Sequence, residues 1–240
     1  MIDSQMIKDT FSTEELYLLA SAFDANVIFG LDSKELLIMK GLDVMEQAKQ
    51  KLIDKEILTV DGKITEGGAT VIQTLQTYYK SRKYVRLNQF MFAFLEEKSD
   101  ELIMLVEIIP HQQYQLHVLS KAIVLKMLTE HFPMLLREPQ EDEYKELTRE
   151  ASDQERKEME QRSLSGQGMI NMELFHLTEK PALQSNQRYY QQWLFFEEEK
   201  KVAAVNLVKE QYLFVSQFWL LKLVFDELEF PYTKEEIVNG

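Results

Sequence analysis

The chain has no cysteine, only five prolines and eight glycines among its 240 residues, and too few cations for its acids: 27 Lys and Arg stand against 40 Asp and Glu, a net charge of −13. Each shortage excludes something. Without cysteine there is no disulfide framework, no thiolate metal site and no thiol nucleophile. So little Pro and Gly, beside 45% hydrophobic and 11% aromatic residues, separates the chain from disordered and low-complexity sequences. Sequence-independent nucleic-acid binding rests on Lys and Arg neutralising phosphates, so the charge balance argues against a general nucleic-acid binder. It also repels anionic membranes. No run approaches the roughly 18 apolar residues of a membrane span. The opening MIDSQMIKDTFSTEE has no apolar signal-peptide core, so a cytoplasmic protein without membrane attachment is expected.

Catalytic signatures are missing as well. There is no H-E-x-x-H, G-x-S-x-G, Walker or dinucleotide-binding glycine motif. His111, His117, His131 and His176 lack the spacing and carboxylate neighbours of a metal site, and a structural or surface role is favoured for each. Gly67-Gly68 lies at a helix start whose N–H groups could hold an anion, but a tight turn into the helix is the favoured use. The carboxylate pairs of Glu96-Glu97 and Glu197-Glu198-Glu199 fall on turns, where solvation is a better account than glycosidase chemistry. The expectation is a protein that is not an enzyme, with no metal and no cofactor.

What is present is a repeat. Arg86–Phe132 and Arg188–Phe230 each carry an apolar, aromatic strand, an acidic turn and a second apolar strand. A short polar turn then leads to a third strand opening on Tyr114 or Tyr212, and to a helix that ends in Phe132-Pro133 or Phe230-Pro231. An ordered series of matches predicts a duplicated three-stranded meander plus helix, an α+β fold. Phe90, Phe92 and Phe94 share one strand face, as do Tyr189, Gln191, Trp193 and Phe195. Meanders apolar on both faces must be covered on both.

Helices precede the first meander. Ser12 and Glu15 have capping-box spacing, with Phe11 and Leu16 placed as a hydrophobic staple. An apolar stripe of Val44, Ala48, Leu52 and Ile53 predicts a helix over about 41–58, with Gly41 separating it from an earlier piece. Asp61-Gly62 then makes a hairpin turn between Val60 and Ile64, and a helix through Ile72, Leu75 and Tyr79 follows. Helix, hairpin and helix also spell a winged-helix domain, which would need a basic recognition helix. Lys49, Lys51 and Lys55 there are balanced by Asp43, Glu46, Asp54 and Glu56, and the cluster Lys80, Arg82, Lys83, Arg86 suits a helix C-terminus.

The segment from Arg137 to Gly168 is dense in charges of both signs, with little apolar stripe beyond Tyr144, Leu147 and Met159. It predicts a solvated helix or connector. The expected organisation is an N-terminal half over 1–133, this connector over 134–168 and a C-terminal half over 169–240, folded as one compact domain. The last helix is apolar around most of its circumference, with Phe218, Leu221, Phe225 and Leu228 on one side and Trp219, Leu220, Leu223 and Val224 on another. Core burial is favoured over a partner-binding face.

An N-terminal helix led by FSTEEL, a helix ending L-x-x-K-x-I-L-x-V-D-G-K-I, and two meanders each closed by a helix together resemble the EspG-type chaperones of type VII (ESX) secretion. The local similarity is strongest at the C-terminal unit, where Q-R-Y opens a strand, with Gln187 in place of the family's Gly. The likeness is to a distant, Firmicute-like bacterial member. It implies a quasi-twofold pair of sheet-plus-helix halves and a cytosolic, non-enzymatic chaperone that holds a helical secreted protein or heterodimer. The implied partner-binding residues are the hairpin tip Glu96, Glu97, Lys98, Ser99 and Asp100 with Trp219, Leu220 and Val224 of the last helix. Trp219→Ala would then weaken binding without unfolding the protein. A winged-helix transcriptional regulator with a C-terminal dimerisation or sensing module is the alternative, and its DNA affinity would fall steeply with salt. An adaptor or immunity-type protein and a homodimer also stay open.

Overall fold

The chain is seen as a computed structural model that describes residues 10–39, 42–95, 99–163, 168–177, 189–198 and 200–231. It forms two units: Met1–Ser120 with Phe175–Tyr190, and Lys121–Leu174 with Gln191–Gly240.

The first described element of this unit is a short strand, β1 (Thr10–Ser12), that runs into helix α1 (Thr13–Ala20). The turn between them is set by the expected capping box: Ser12 Oγ accepts from Glu15 N at 3.3 Å while Glu15 Oε2 accepts from Ser12 N at 2.6 Å. Phe11 and Leu16 are buried in one cluster, as a staple requires. Glu15 itself is buried, and its charge is answered by Lys55 Nζ at 2.5 Å, which also donates to Thr10 O and lies over the Phe11 ring.

The helix expected over 41–58 is shorter: α2 (Lys34–Met39) precedes α3 (Leu42–Asp54), which buries Ala48 and Leu52. The hairpin expected at Asp61-Gly62 reduces to a turn. Gly62 takes a left-handed φ of +80°, but the flanks make one bridge, Leu58 to Ile64, and Val60 and Ile64 stay exposed. Ile57 and Leu58 pack against the core, but with a single bridge and no third strand the two flanks do not make a sheet.

Helix α4 (Glu66–Lys80) is capped by Thr65, whose Oγ1 accepts from Gly68 N at 3.0 Å. That bond engages one of the N–H groups that an anion would have used. Gly68 is required for space, because a Cβ there would collide with the backbone carbonyl of Ile57, whereas at Gly67 the nearest atom is Thr65 Oγ1 at 3.9 Å. Gly68→Ala is therefore expected to destabilise by about 1–3 kcal/mol and Gly67→Ala to stabilise by about 0.5–1 kcal/mol, measured as opposite shifts of the urea midpoint.

The sheet of this unit has the order β1-β5-β4-β3-β2, with β2 (Lys83–Leu87), β3 (Phe90–Phe94), β4 (Glu101–Ile109) and β5 (Gln113–Ser120). The meander is as expected, but its first strand is broken at Asn88-Gln89, where Asn88 takes a φ of +52° and β2 folds back on β3 with Leu87 opposite Phe90. Met91, Ala93, Ile103, Leu105 and Tyr114 join Leu16, Leu52, Leu75 and Tyr78 in the core, while Phe92, Leu102 and Met104 are buried on the opposite strand face.

The second unit holds α5 (Lys121–His131), the helix that closes the first meander, followed by 3-10 turns at Pro133–Leu136 and Glu141–Tyr144. The charged connector is built rather than featureless: it contains β6 (Thr148–Glu150) and α6 (Asp153–Ser163). Then come β7 (Ile170–His176), which alternates buried Ile170, Met172 and Leu174 with half-buried residues, β8 (Tyr189–Glu198), β9 (Lys201–Asn206), β10 (Gln211–Val215) and α7 (Gln217–Leu228). The order here is β6-β10-β9-β8-β7.

The duplication is thus larger than the meander. In each copy a three-residue edge strand pairs antiparallel with the meander's third strand, Phe11 opposite Tyr114 and Arg149 opposite Phe214. In each copy a capping box launches a helix just after that strand. Ser152 Oγ meets Glu155 N at 3.5 Å, and Glu155 Oε2 accepts from Ser152 N at 2.8 Å. In chain order, helices α2, α3 and α4 follow the capped helix of the first copy, and among the described residues no helix separates α6 from β7.

Helix α6 explains how so polar a segment covers an aromatic strand face. Met159, 1% exposed, packs on Phe196, Ala203 and Val205. The guanidinium groups of Arg149 and Arg156 lie over Phe214 and Tyr212, 4.8 and 4.6 Å from the ring centroids. Hydrogen bonds from Arg149 first, then from Ser152, hold the Glu155 carboxyl down to about 2, below its ordinary value of 4.5. A depressed carboxylate stabilises fully above its unfolded value and loses that contribution as pH falls through its folded one. Glu155→Gln is expected to flatten the decline in urea midpoint between about pH 4.5 and about pH 2. The change is small, since the pair is partly solvated.

Candidate partner-binding site

Of the residues singled out from the sequence, Ser99 and Asp100 belong to the first unit and Trp219, Leu220 and Val224 to the second. Glu96, Glu97 and Lys98 lie outside the described residues. Ser99 and Asp100 lead into β4, where Ser99 Oγ accepts from Glu101 N at 3.1 Å and Asp100 is exposed. Leu220 and Val224 are buried, and with Gln217 and Leu228 they make the inward stripe of α7. They correct the surface role given to them: the favoured reading, core burial, holds for both. Trp219 is half-buried, its ring 5.3 Å from Trp193 and 6.3 Å from Phe195. The apolar residue that α7 exposes is Phe218, on a stripe with Lys222 and Asp226, which pair with each other.

Phe218 belongs to a built surface. The start of α7 is fixed by Ser216, whose Oγ accepts from Trp219 N at 3.1 Å, and by the buried Glu143 carboxylate, which accepts from Gln217 N at 2.6 Å. A carboxylate at this end complements the helix dipole. Arg137 grips both oxygens of Glu143 at 2.6 and 2.7 Å and donates to Lys200 O at 3.1 Å, while Gln217 Nε2 donates to the carbonyls of Met134 and Leu135. The Leu147 carbonyl accepts from Ser216 N at 2.8 Å. These bonds lock residues 134–147 against the helix start. Outward from them stand Tyr144, 67% exposed, and Phe218, 41% exposed, in edge-to-face contact at 5.0 Å, with Leu147 exposed beside Ser216. No periodic signal marks Tyr144 and Leu147; they were visible only as rare apolar residues in a charged run.

Elsewhere the features offer less. In the first unit Leu18, Leu19, Leu58, Ile64 and Ile72, with Lys49, line an open groove of about 220 Å³. In the second, Asp142, Glu146, Arg149 and Lys201 line a space of about 60 Å³, enough for a few waters. Of the lysines and arginines weighed for nucleic acid, Lys55 is engaged by Glu15, and Arg86 by Glu107 at 3.2 Å and by Asn88 O. Among the described residues no group of three or more His, Asp or Glu is placed to hold a metal, and no helix is long and apolar enough to cross a membrane.

The architecture places the chain among α+β proteins built on a duplicated antiparallel sheet. Within that class it belongs to the family described as domain of unknown function DUF5081, which it matches over residues 5–236. It is 27% identical over 136 residues to the type VII secretion system protein EsaE of Staphylococcus aureus strain USA300, and to the same degree to EsaE of strain NCTC 8325 / PS 47. The match spans 57% of this chain and 57% of the length of these curated relatives.

Proposed function

We propose that this protein is a chaperone or adaptor of a type VII secretion pathway. It binds a helical secreted protein, or a heterodimer of such proteins, and keeps it soluble. The similarity to EsaE carries this reading. Two further features support it. The duplicated strand-and-helix architecture is of the kind expected for an EspG-type chaperone. A rigidly supported, exposed aromatic pair at Tyr144 and Phe218 suits a module that binds protein. The protein acts in the cytoplasm, without a cofactor and without catalysis.

The test is native mass spectrometry of the protein affinity-purified from its own host. A stoichiometric complex with one or two small helical proteins that depend on type VII secretion is expected. A bare homodimer, or a species carrying DNA, would overturn the proposal.

A further inference from the structure

We infer that the surface formed by Tyr144, Leu147 and Phe218 is the docking site for a partner helix, amphipathic and flanked by Lys or Arg. The inference deepens the chaperone reading and rests on it.

Two observations decide what this surface can take. The first is that its main chain is already engaged. Leu147 O accepts from Ser216 N, Gln217 N donates to Glu143, Glu143 N donates to Gln140 O, and the amides of Lys145 and Glu146 both donate to Asp142 O. A strand added to an edge needs free backbone donors and acceptors, and the groups just named are occupied, so at them recognition rests on side chains. An edge-to-face aromatic pair with an aliphatic neighbour accepts the ridge of a helix, whose i, i+3, i+4 and i+7 side chains supply matching knobs.

The second observation is charge. The same segment carries exposed Glu138, Glu141, Asp142 and Glu146 around the apolar residues, against one exposed cation in the run, Lys145. Asp142 has Lys201 at 3.7 Å, and Arg149 is held by Glu155. Glu143 does not add to the exposed negative charge, because Arg137 neutralises it beneath the surface. An apolar centre with an acidic rim selects a helix with basic flanks and repels an acidic one.

The experiment uses the full chain and two labelled helical peptides that share one leucine stripe and differ only in flanks, Lys in one and Glu in the other. Fluorescence anisotropy at low salt is expected to show at least roughly tenfold tighter binding of the Lys-flanked peptide. The charge-reversed variant E141K/E146K should abolish that preference. The variant Y144S/F218S should weaken the Lys-flanked peptide by at least about tenfold and keep the wild-type circular-dichroism spectrum. Equal binding of the two peptides, binding of neither, or affinity indifferent to both variants would overturn the inference. Such a failure, with a host-purified complex still present, removes this surface and leaves the chaperone reading standing. Absence of the host complex removes the chaperone reading itself.

Discussion

Glu143→Ala is expected to lower the melting temperature by roughly 6–20 °C, corresponding to a loss of about 3–5 kcal/mol. The carboxylate is buried, is held by two bonds from Arg137 and receives the first amide of α7 at 2.6 Å. Removing it leaves a guanidinium, itself 9% exposed, without its counter-charge, and the helix start without its anion. The pair replaced together, as Arg137→Met with Glu143→Leu, should recover most of the loss, because the cost lies in the orphaned charge rather than in the absence of the bond. Differential scanning fluorimetry of the two variants decides the matter. A Glu143→Ala shift below about 2 °C would mean that solvent reaches Arg137 and that the segment 134–147 is not locked as described.

Trp219→Ala is expected to destabilise the protein by about 2–4 kcal/mol, and Phe218→Ala by less than about 1 kcal/mol. The two residues are neighbours in sequence on a helix apolar around most of its circumference, yet they meet different surroundings. Trp219 meets Trp193 edge-on and Phe195 at a tilt, while Phe218 touches Tyr144 and solvent. A truncation at Trp219 would therefore confound loss of fold with loss of binding, which makes Phe218 the informative position for a partner. The reverse order of the two losses in urea unfolding would place α7 in a different rotation about its axis and would remove Phe218 from the surface.

That helix shows what the sequence could and could not convey. A stripe has a phase only when the opposite face is polar, and here apolar residues occupy nearly every position from 218 to 225. What sets the phase is the packing of its start, with Ser216 as cap and Gln217 turned inward to the carbonyls of Met134 and Leu135. These contacts reach across some eighty residues and leave no local trace. By contrast, Ser12 and Glu15 and the paired Phe132-Pro133 and Phe230-Pro231 endings are local or repeated signals, and the structure follows them. The second capping box, Ser152 with Glu155, has the same spacing as the first but sits in a run so charged that no hydrophobic stripe drew attention to it. The edge strand β6 is three residues long and exposes two of them, so it has no hydrophobic pattern to read. The aromatic rings covered by Arg149 and Arg156 are likewise invisible to hydropathy, which scores the covering residues as solvent-facing.

The central claim is that this protein keeps a type VII secretion partner soluble, and the most direct measurement is the soluble fraction of the partner found in the host-purified complex. That partner is produced alone, with this protein, and with the Y144S/F218S variant, and the supernatant and pellet are quantified after centrifugation. The account predicts a partner that pellets alone, stays in solution at a fixed stoichiometry with the wild-type protein, and pellets again with the variant. A partner equally soluble in all three would contradict the account.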